Sequence, residues 1–215
     1  MSKIFFFILS IIRILKYLLS KKKRYSNLLI SILICKPKSI LEVGVYNGKR
    51  ALEMIHAAKV FNDKIQYYGF DLFEDFQKKI LKKELSKTPH TIQSIKKKIY
   101  KYGSIKLYKG FTKKTLPKFL KSKRLIDFIF IDGGHSIKTI ENDWKYCSKL
   151  MNKKSIVIFD DYYIKKSKFL IKFGSNKIYK KINSRKYLKT FLPFIDKIEN
   201  MNYKQNIKMF SVKLR

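Results

Sequence analysis

Cysteine, arginine and acidic side chains are all scarce in this 215-residue sequence. Its two cysteines, Cys35 and Cys147, cannot form a framework of disulfides, and a domain of this size does not need one. The sequence therefore favours a reducing, intracellular protein. With 46% hydrophobic and 15% aromatic residues, the chain has enough apolar material for one core, which excludes global disorder.

Acidic residues number 15 against 50 lysines and arginines, and the formal net charge is +35. A basic surface is typical of proteins that bind nucleic acid or anionic membranes. However, only six of the 50 cations are arginine, the side chain that makes bidentate contacts with phosphate and guanine. The composition thus favours a solvated, lysine-rich surface and leaves nucleic acid or membrane binding as alternatives.

The N-terminal segment lacks an apolar run long enough to cross a membrane. Residues Ile4 to Leu19 would form a helix about 24 Å long, which is shorter than the hydrocarbon core of about 30 Å. No small-residue cleavage site follows it, as a signal peptide requires. The basic run Lys21 to Arg24 comes next and would lie at an anionic leaflet. Four polar residues interrupt the apolar run: Ser10, Arg13, Lys16 and Tyr17.

We therefore predict two parts of the chain. Residues 1–25 form a basic and apolar extension, and residues 26–215 form one domain. For the extension, an interfacial helix fits better than a membrane span, with peripheral membrane contact through residues 1–24. A cap packed on the domain and a frayed extension are the alternatives. We expect a cytoplasmic protein, with association at the inner face of a membrane as the open question.

The domain alternates short apolar runs with segments of helical spacing. Each run has the length and near-continuous apolar character of a strand buried on both faces. Alternation of this kind predicts an α/β fold: a doubly wound, mostly parallel sheet of the Rossmann-like type, with helices on both sides. Two further runs, Phe194 to Ile198 and Ile207 to Leu214, predict a C-terminal antiparallel hairpin. The predicted parallel strands are Ser39 to Val45, Ile65 to Asp71, Ile105 to Tyr108, Asp127 to Asp132 and Ser155 to Asp160.

Ligands bind open parallel sheets at the carboxyl ends of the strands. The first strand ends in a turn that carries Gly44 and Gly48, and glycines there let the backbone approach a ligand closely. The second strand ends in Asp71, whose carboxylate can accept hydrogen bonds from both hydroxyls of a ribose. A plain tight turn and a helix cap are the alternative roles of these residues. Together they favour a nucleoside ligand.

These motifs, taken in order, resemble the class I methyltransferases that use S-adenosylmethionine. The chain is more narrowly similar to the branch that carries an Ile-Asp-Gly-x-His signature after the fourth strand, which includes small-molecule and sugar O-methyltransferases. The resemblance runs from about Lys36 to Tyr163. It is carried by Glu42-x-Gly44-x-x-x-Gly48, by Asp71, by Ile131-Asp132-Gly133-Gly134-His135 and by Ile158-Phe159-Asp160-Asp161.

The resemblance implies the S-adenosylmethionine contacts. Gly44, Tyr46 and Gly48 would lie beside the methionine part of the cofactor, and Asp71 would hold the ribose. Glu42 would lie beneath the methionine part, often contacting its amino group through water. Gly110, after the third strand, would border the adenine.

His135 is the candidate general base. It lies at the carboxyl end of a strand, three residues after Asp132, and a neutral imidazole has a pKa suited to proton abstraction near neutrality. The alternative is a residue that packs or caps at a helix N-terminus. Asp132 is the second catalytic candidate.

Asp132, Asp160 and Asp161 are the candidate metal ligands. Three carboxylates at neighbouring strand ends would repel one another without a cation or protons, and oxygen ligands suit Mg²⁺ or Mn²⁺. In similar metal-dependent sugar methyltransferases, equivalent acidic residues hold Mg²⁺. Some of those relatives carry a further carboxylate where this sequence has Gly134. The alternative is that Asp160 or Asp161 caps the next turn.

We therefore expect an S-adenosylmethionine-dependent methyltransferase acting on a hydroxyl of a small molecule or glycan, with Mg²⁺ assistance left open. An RNA methyltransferase is one alternative, because the charge would supply affinity for phosphate. It is less favoured, because the Asn/Asp-Pro-Pro-aromatic turn that grips an exocyclic amine is absent. A non-catalytic module at a membrane is the least favoured alternative.

Overall fold

The computed structural model describes residues 2–85, 87–165, 171–200 and 203–215. Its strands lie in one twisted sheet flanked by helices. The strands are β1 (Ser39–Val43), β2 (Gln66–Asp71), β3 (Ser104–Lys109), β4 (Phe128–Ile131), β5 (Ile156–Tyr163), β6 (Tyr187–Asn200) and β7 (Tyr203–Leu214). The helices are α1 (Lys3–Leu18), α2 (Arg24–Cys35), α3 (Lys49–Lys59), α4 (Lys79–Glu84), α5 (Ile92–Ile99), α6 (Thr112–Leu120), α7 (Ile137–Cys147) and α8 (Asn176–Lys181).

The strand order is β3-β2-β1-β4-β5-β7-β6. Strands β1 to β5 pair in parallel, and β7 pairs antiparallel with both β5 and β6. This confirms the predicted Rossmann-like, mostly parallel sheet with its C-terminal antiparallel hairpin. Because the order reverses between β1 and β4, their carboxyl ends flank the crevice in which such sheets bind ligands.

The sheet is buried on both faces, as the apolar runs predict. Successive side chains of a strand point to opposite faces, so each strand supplies two separate cores. Ile40 of β1 and Phe128 of β4 pack in one core with α1, α2 and α3. Leu41 and Ile129, the next residue of each strand, pack in the other core with α6 and α7.

The first two helices pack on the domain. Helix α1 lies against α2 and α3, with Phe6, Ile14 and Tyr17 buried in the contact. The Tyr17 hydroxyl donates to Glu53 of α3 at 2.8 Å. Helix α2 begins at Arg24, close to the predicted boundary, and the division into residues 1–25 and 26–215 stays a prediction. No helix in the described part of the chain combines the length and the apolar character that a membrane crossing requires.

Candidate active site

A cavity of about 310 Å³ lies at the carboxyl ends of the parallel strands. Its lining includes the turns after β1, β2, β3 and β4, Asp161 within β5, and residues around the start of α2. The cavity brings together these predicted site residues: Gly44, Tyr46, Asp71, Gly110, Asp132, His135 and Asp161. Three other predicted residues lie outside the lining: Glu42, Gly48 and Asp160.

Gly44 is the point at which the turns after β1 and β4 touch. Its φ is +92°, and a Cβ atom added there would lie 2.1 Å from the carbonyl oxygen of Asp132. A side chain would thus both strain the backbone and separate the two turns. Gly48 has a φ of +70° as the residue that precedes α3, but a Cβ atom there would meet Ile95, 3.0 Å away, on the side of α5. Its local role is to start α3.

Asp71 holds the turn after β1 by its carboxylate. One oxygen accepts from the Tyr46 N–H at 2.8 Å, and the other accepts from the Leu72 N–H at 2.7 Å. Burial raises the pKa of Asp71 against the opposing effect of these N–H groups. The side chain therefore has a structural role here as well as a place in the cavity wall.

Glu42 lies beneath the cavity. It is fully buried, it accepts a hydrogen bond from the Tyr67 hydroxyl, and its Oε1 has no hydrogen-bond partner among the described residues. Burial raises the pKa of this carboxyl to about 8. No cation neutralises it by direct contact in the described chain, so it retains its proton near neutrality.

Asp132, His135 and Asp161 form a compact cluster in the cavity, which we call the acid cluster. Their ligand atoms all lie within 4.8 Å of one another, and His135 Nε2 lies 3.1 Å from Asp161 Oδ2. Burial, followed by the charges of Asp160 and Asp161, raises the pKa of Asp132 well above its usual range. Burial also raises the pKa of Asp161, and the neighbouring His135 opposes that shift.

Asp160 has a different partner from Asp161, although the two are adjacent in sequence. Strand β5 carries a register shift between Phe159 and Tyr162, and Asp161 has a φ of +55°. A bulge of this kind re-aims side chains. Asp160 accepts from Arg24 Nε at 2.8 Å and from Nη2 at 3.0 Å, and Arg24 also contacts Asp196 through Nη1.

This arrangement bears on the predicted metal ligands. Both oxygens of Asp160 face the Arg24 guanidinium, so the ligand set that converges is Asp132 and Asp161 with His135, in place of Asp132 with Asp160 and Asp161. Two carboxylates and an imidazole suit a transition-metal ion that accepts nitrogen as well as oxygen better than they suit Mg²⁺. The metal site itself stays a prediction.

Sequence reasoning missed a group of cations on the cavity wall. Lys22 and Arg24 reach the cavity around the start of α2, and Lys49, Arg50 and Lys87 also line it. Burial lowers the pKa of Lys22, and the charges of Lys87, Arg50, Lys49 and Arg24 lower it further, in that order. The only sequence signal was the basic run itself, which gives no sign that it faces a cavity.

Asp143 is a second residue that sequence reasoning missed. This α7 side chain is fully buried on the cavity wall, and its Oδ2 has no hydrogen-bond partner in the described chain. Burial raises the pKa of Asp143 to about 7. Its position inside a helix gave no signal, because acidic residues on helices are usually solvated.

Comparisons with known proteins agree with this geometry. A family described as "methyltransferase domain" matches residues 41–162. Among solved structures, an O-methyltransferase from Bacillus cereus in complex with SAH aligns with a TM-score of 0.60 at 14% identity, over 86% of this chain and 78% of that chain. The O-methyltransferase TomG of tomaymycin synthesis from Streptomyces achromogenes, in complex with SAM, aligns with a TM-score of 0.56 at 11% identity, over 88% and 79%.

A third solved structure, a putative rRNA methylase from Clostridium thermocellum, aligns with a TM-score of 0.58 at 12% identity, over 89% of this chain and 97% of that chain. At these identities the structural likeness carries the fold alone. Curated proteins gave no match.

Proposed function

The chain belongs to the methyltransferase domain family, and on that basis we propose that it transfers a methyl group from S-adenosylmethionine to a hydroxyl of a small molecule or glycan. One observation carries the proposal: a single cavity holds both the glycine turn with Asp71 and the acid cluster. A cofactor at the first and an acceptor at the second would be close enough to react.

The wall around Gly44 and Asp71 supports the cofactor part of the proposal. Gly44 keeps the turn after β1 close to that after β4, and Asp71 lines the same cavity, so that ribose hydroxyls bound there would donate to its carboxylate. Gly110 lines the same cavity beyond β3, as an adenine neighbour would. Glu42 is buried below and outside the lining, so its proposed contact with the cofactor would be indirect.

The acid cluster supports the acceptor part. In methyl transfer to an alcohol, the hydroxyl oxygen forms a bond to the methyl carbon while the carbon–sulfur bond breaks and the electron pair stays on sulfur. The products are an ether, S-adenosylhomocysteine and one proton. We assign the proton to His135. Its Nε2 faces Asp161, so Nδ1 is the nitrogen left to take the proton, and the Asp161 carboxylate would stabilise the resulting imidazolium.

Metal assistance remains part of the proposal as a separate question. The donor set Asp132, His135 and Asp161 fits a divalent ion. With an ion bound, His135 would be a ligand in place of the base, and the ion would lower the pKa of an acceptor hydroxyl. Without it, the Arg24 guanidinium, which is bound to Asp160, lowers the pKa of both Asp132 and Asp161 against the effect of burial. If an ion is used, EDTA should abolish turnover and Mn²⁺ should restore it. Full activity after exhaustive chelation would remove the metal from the mechanism.

An RNA acceptor is the second candidate, favoured by the net charge and by the cations on the cavity wall. It predicts affinity for RNA whose logarithm falls steeply with the logarithm of salt concentration. The small-molecule proposal predicts turnover that is nearly independent of salt between about 50 and 200 mM.

The test is S-adenosylhomocysteine release from S-adenosylmethionine in the presence of acceptor panels. One panel holds hydroxylated small molecules and saccharides, and the other holds RNA. Release that depends on a hydroxylated compound, and that disappears when its hydroxyl is blocked, is the expected result. Release that depends on RNA alone would replace the proposal with the second candidate.

A further inference from the structure

The outer face of α1 is apolar and exposed. Seven large apolar side chains on this helix and its C-terminal cap are between 42% and 90% exposed. A soluble protein seldom shows a contiguous apolar patch of this kind without a use for it. We call these residues the outer face: Ile4, Phe5, Phe7, Ile8, Ile12, Leu15 and Leu19.

The outer face lies opposite the side by which α1 packs on the domain. Phe6, Ser10, Ile14 and Tyr17 are buried at the three-to-four spacing of one helix face. Most of the seven exposed residues fall on the other side of the helical wheel. The packed side also carries polar contacts to α3, from Tyr17 to Glu53 and from Arg13 Nη1 to His56 Nδ1 at 3.0 Å. Helix α1 is therefore fixed to the domain by one side and presents its apolar side outward.

The positive charge of the residues near α1 indicates which kind of surface binds the outer face. Residues 1–41 contain nine lysines and arginines, and the first acidic residue of the chain is Glu42. Three of the cations follow α1 directly as the exposed lysines Lys21, Lys22 and Lys23, whereas the Arg24 guanidinium is paired with Asp160 and Asp196. Basic residues beside an exposed apolar helix face are attracted to anionic lipid headgroups, while the apolar side chains enter the boundary with the acyl chains.

A second copy of this chain fits the outer face less well. Dimerisation through α1 would bring two basic runs and two chains of net charge +35 together. Like charges at that density oppose association. An anionic bilayer supplies both the apolar layer and the counter-charge.

We propose that the outer face of α1 inserts into the interfacial layer of an anionic membrane, with the helix parallel to the surface. The inference does not depend on methyl transfer. It has a consequence that does rest on the proposed function: Lys22, Arg24 and Tyr25 follow α1 and line the cavity, so the cavity would open beside the membrane. The acceptor would then be a molecule held at the bilayer surface.

The experiment is flotation of the full chain with vesicles of phosphatidylcholine alone and of phosphatidylcholine with 30% phosphatidylglycerol. The test variant is Ile8→Glu with Leu15→Glu, which are 53% and 52% exposed. The control variant is Leu125→Glu with Leu188→Glu, which are 55% and 47% exposed elsewhere on the surface. The two variants carry the same change of charge and of apolar area.

We expect the wild type and the control variant to bind anionic vesicles, and the test variant to bind at least tenfold more weakly. Circular dichroism and thermal unfolding should show both variants folded, since none of the four side chains is buried. Equal binding by the test and control variants would overturn the proposal, because the basic surface alone would then account for it. So would a wild-type dimer that the test variant converts to a monomer, with no vesicle binding by either.

Failure of the wild type to bind S-adenosylhomocysteine would count against the proposed function. It would not affect the interpretation of the vesicle experiment. The two failures are therefore distinguishable.

Discussion

The two ends of the cavity are held together by different means. At the proposed cofactor end, comprising Gly44, Tyr46, Asp71 and Gly110, the Asp71 carboxylate accepts from backbone N–H groups of two adjacent turns, and Gly44 lets the turns after β1 and β4 touch. At the acid cluster, charged side chains act on one another, and Arg24 balances the neighbouring Asp160 from a distant part of the sequence. Backbone geometry defines the first end of the cavity, and interactions between charged side chains define the second.

Because of this difference, the two ends of the cavity should respond differently to protonation and to substitution. Backbone hydrogen bonds to Asp71 and the contact at Gly44 fix the geometry of the first end. Buried carboxylates with raised pKa values respond to protonation and to any cation placed near them. Substitutions at the two ends should therefore have effects of different kinds, on affinity at one and on rate and charge balance at the other.

The largest effect should come from His135→Ala. Removal of a general base lowers the rate of transfer by between about 10²-fold and 10⁴-fold, while affinity for S-adenosylhomocysteine should stay within about twofold. The assay is initial-rate kinetics together with calorimetry. His90→Ala, at an exposed histidine outside the cavity lining, is the control and should change the rate little. Undiminished turnover by His135→Ala would place the base elsewhere.

Arg24→Ala should destabilise the protein by about 3–5 kcal/mol, because it leaves Asp160 and Asp196 as buried carboxylates without their cation. The measurement is denaturant unfolding. Arg185→Ala, at an exposed arginine, should change stability by less than about 0.5 kcal/mol. If Arg24→Ala lowers the free energy of unfolding by less than about 1 kcal/mol, the pairing of Arg24 with Asp160 and Asp196 does not stabilise this end of the cavity.

Glu42→Gln tests a buried acid that has no cation beside it. Its pKa is raised from 4.5 to about 8, so the wild-type folded state keeps a proton that the unfolded state loses. The contribution of Glu42 to the free energy of unfolding is fully present below about pH 4.5 and is lost as the pH rises to about 8. The amide cannot ionise, so the free energy of unfolding of the variant should rise relative to that of the wild type across this pH window. The difference should reach roughly 4 kcal/mol at about pH 8.

The measurement for Glu42→Gln is the free energy of unfolding at pH 5, 6, 7 and 8. If the free energies of unfolding of the two proteins change in parallel with pH, the prediction is contradicted. The burial of Glu42 would then cost no stability as the pH rises.

The smallest effect should come from Asp71→Asn. An amide keeps one oxygen and loses the second acceptor, so S-adenosylhomocysteine should bind about tenfold more weakly while stability falls by about 1 kcal/mol. Calorimetry and thermal unfolding give the two values. A large loss of stability with unchanged affinity would make Asp71 a residue that only holds the turn.

The sequence was sufficient to predict that Gly44, Asp71 and His135 meet at one cavity, because each is local to the end of a strand. Gly44, Asp71 and His135 each follow an apolar run whose end could be read directly, and parallel strands bring such ends to one edge of the sheet. Gly48 belonged to the same pattern, yet its place at the start of α3 turns it toward Ile95.

The charge balance of the acid cluster could not be read in that way. Arg24 and Asp160 are 136 residues apart, and no local pattern joins them. The consecutive residues Asp160 and Asp161 were equivalent in sequence and became different only through the bulge in β5. The packing of α1 on α3 likewise depends on a contact between Tyr17 and Glu53 that spacing alone does not reveal.

Calorimetric titration with S-adenosylhomocysteine tests the central claim most directly, using the wild type, Asp71→Asn and His135→Ala in parallel. The account predicts one site per chain, weakened by the Asp71 substitution and nearly unchanged by the His135 substitution. A wild type that fails to bind, or affinity that depends on His135 and ignores Asp71, would contradict it.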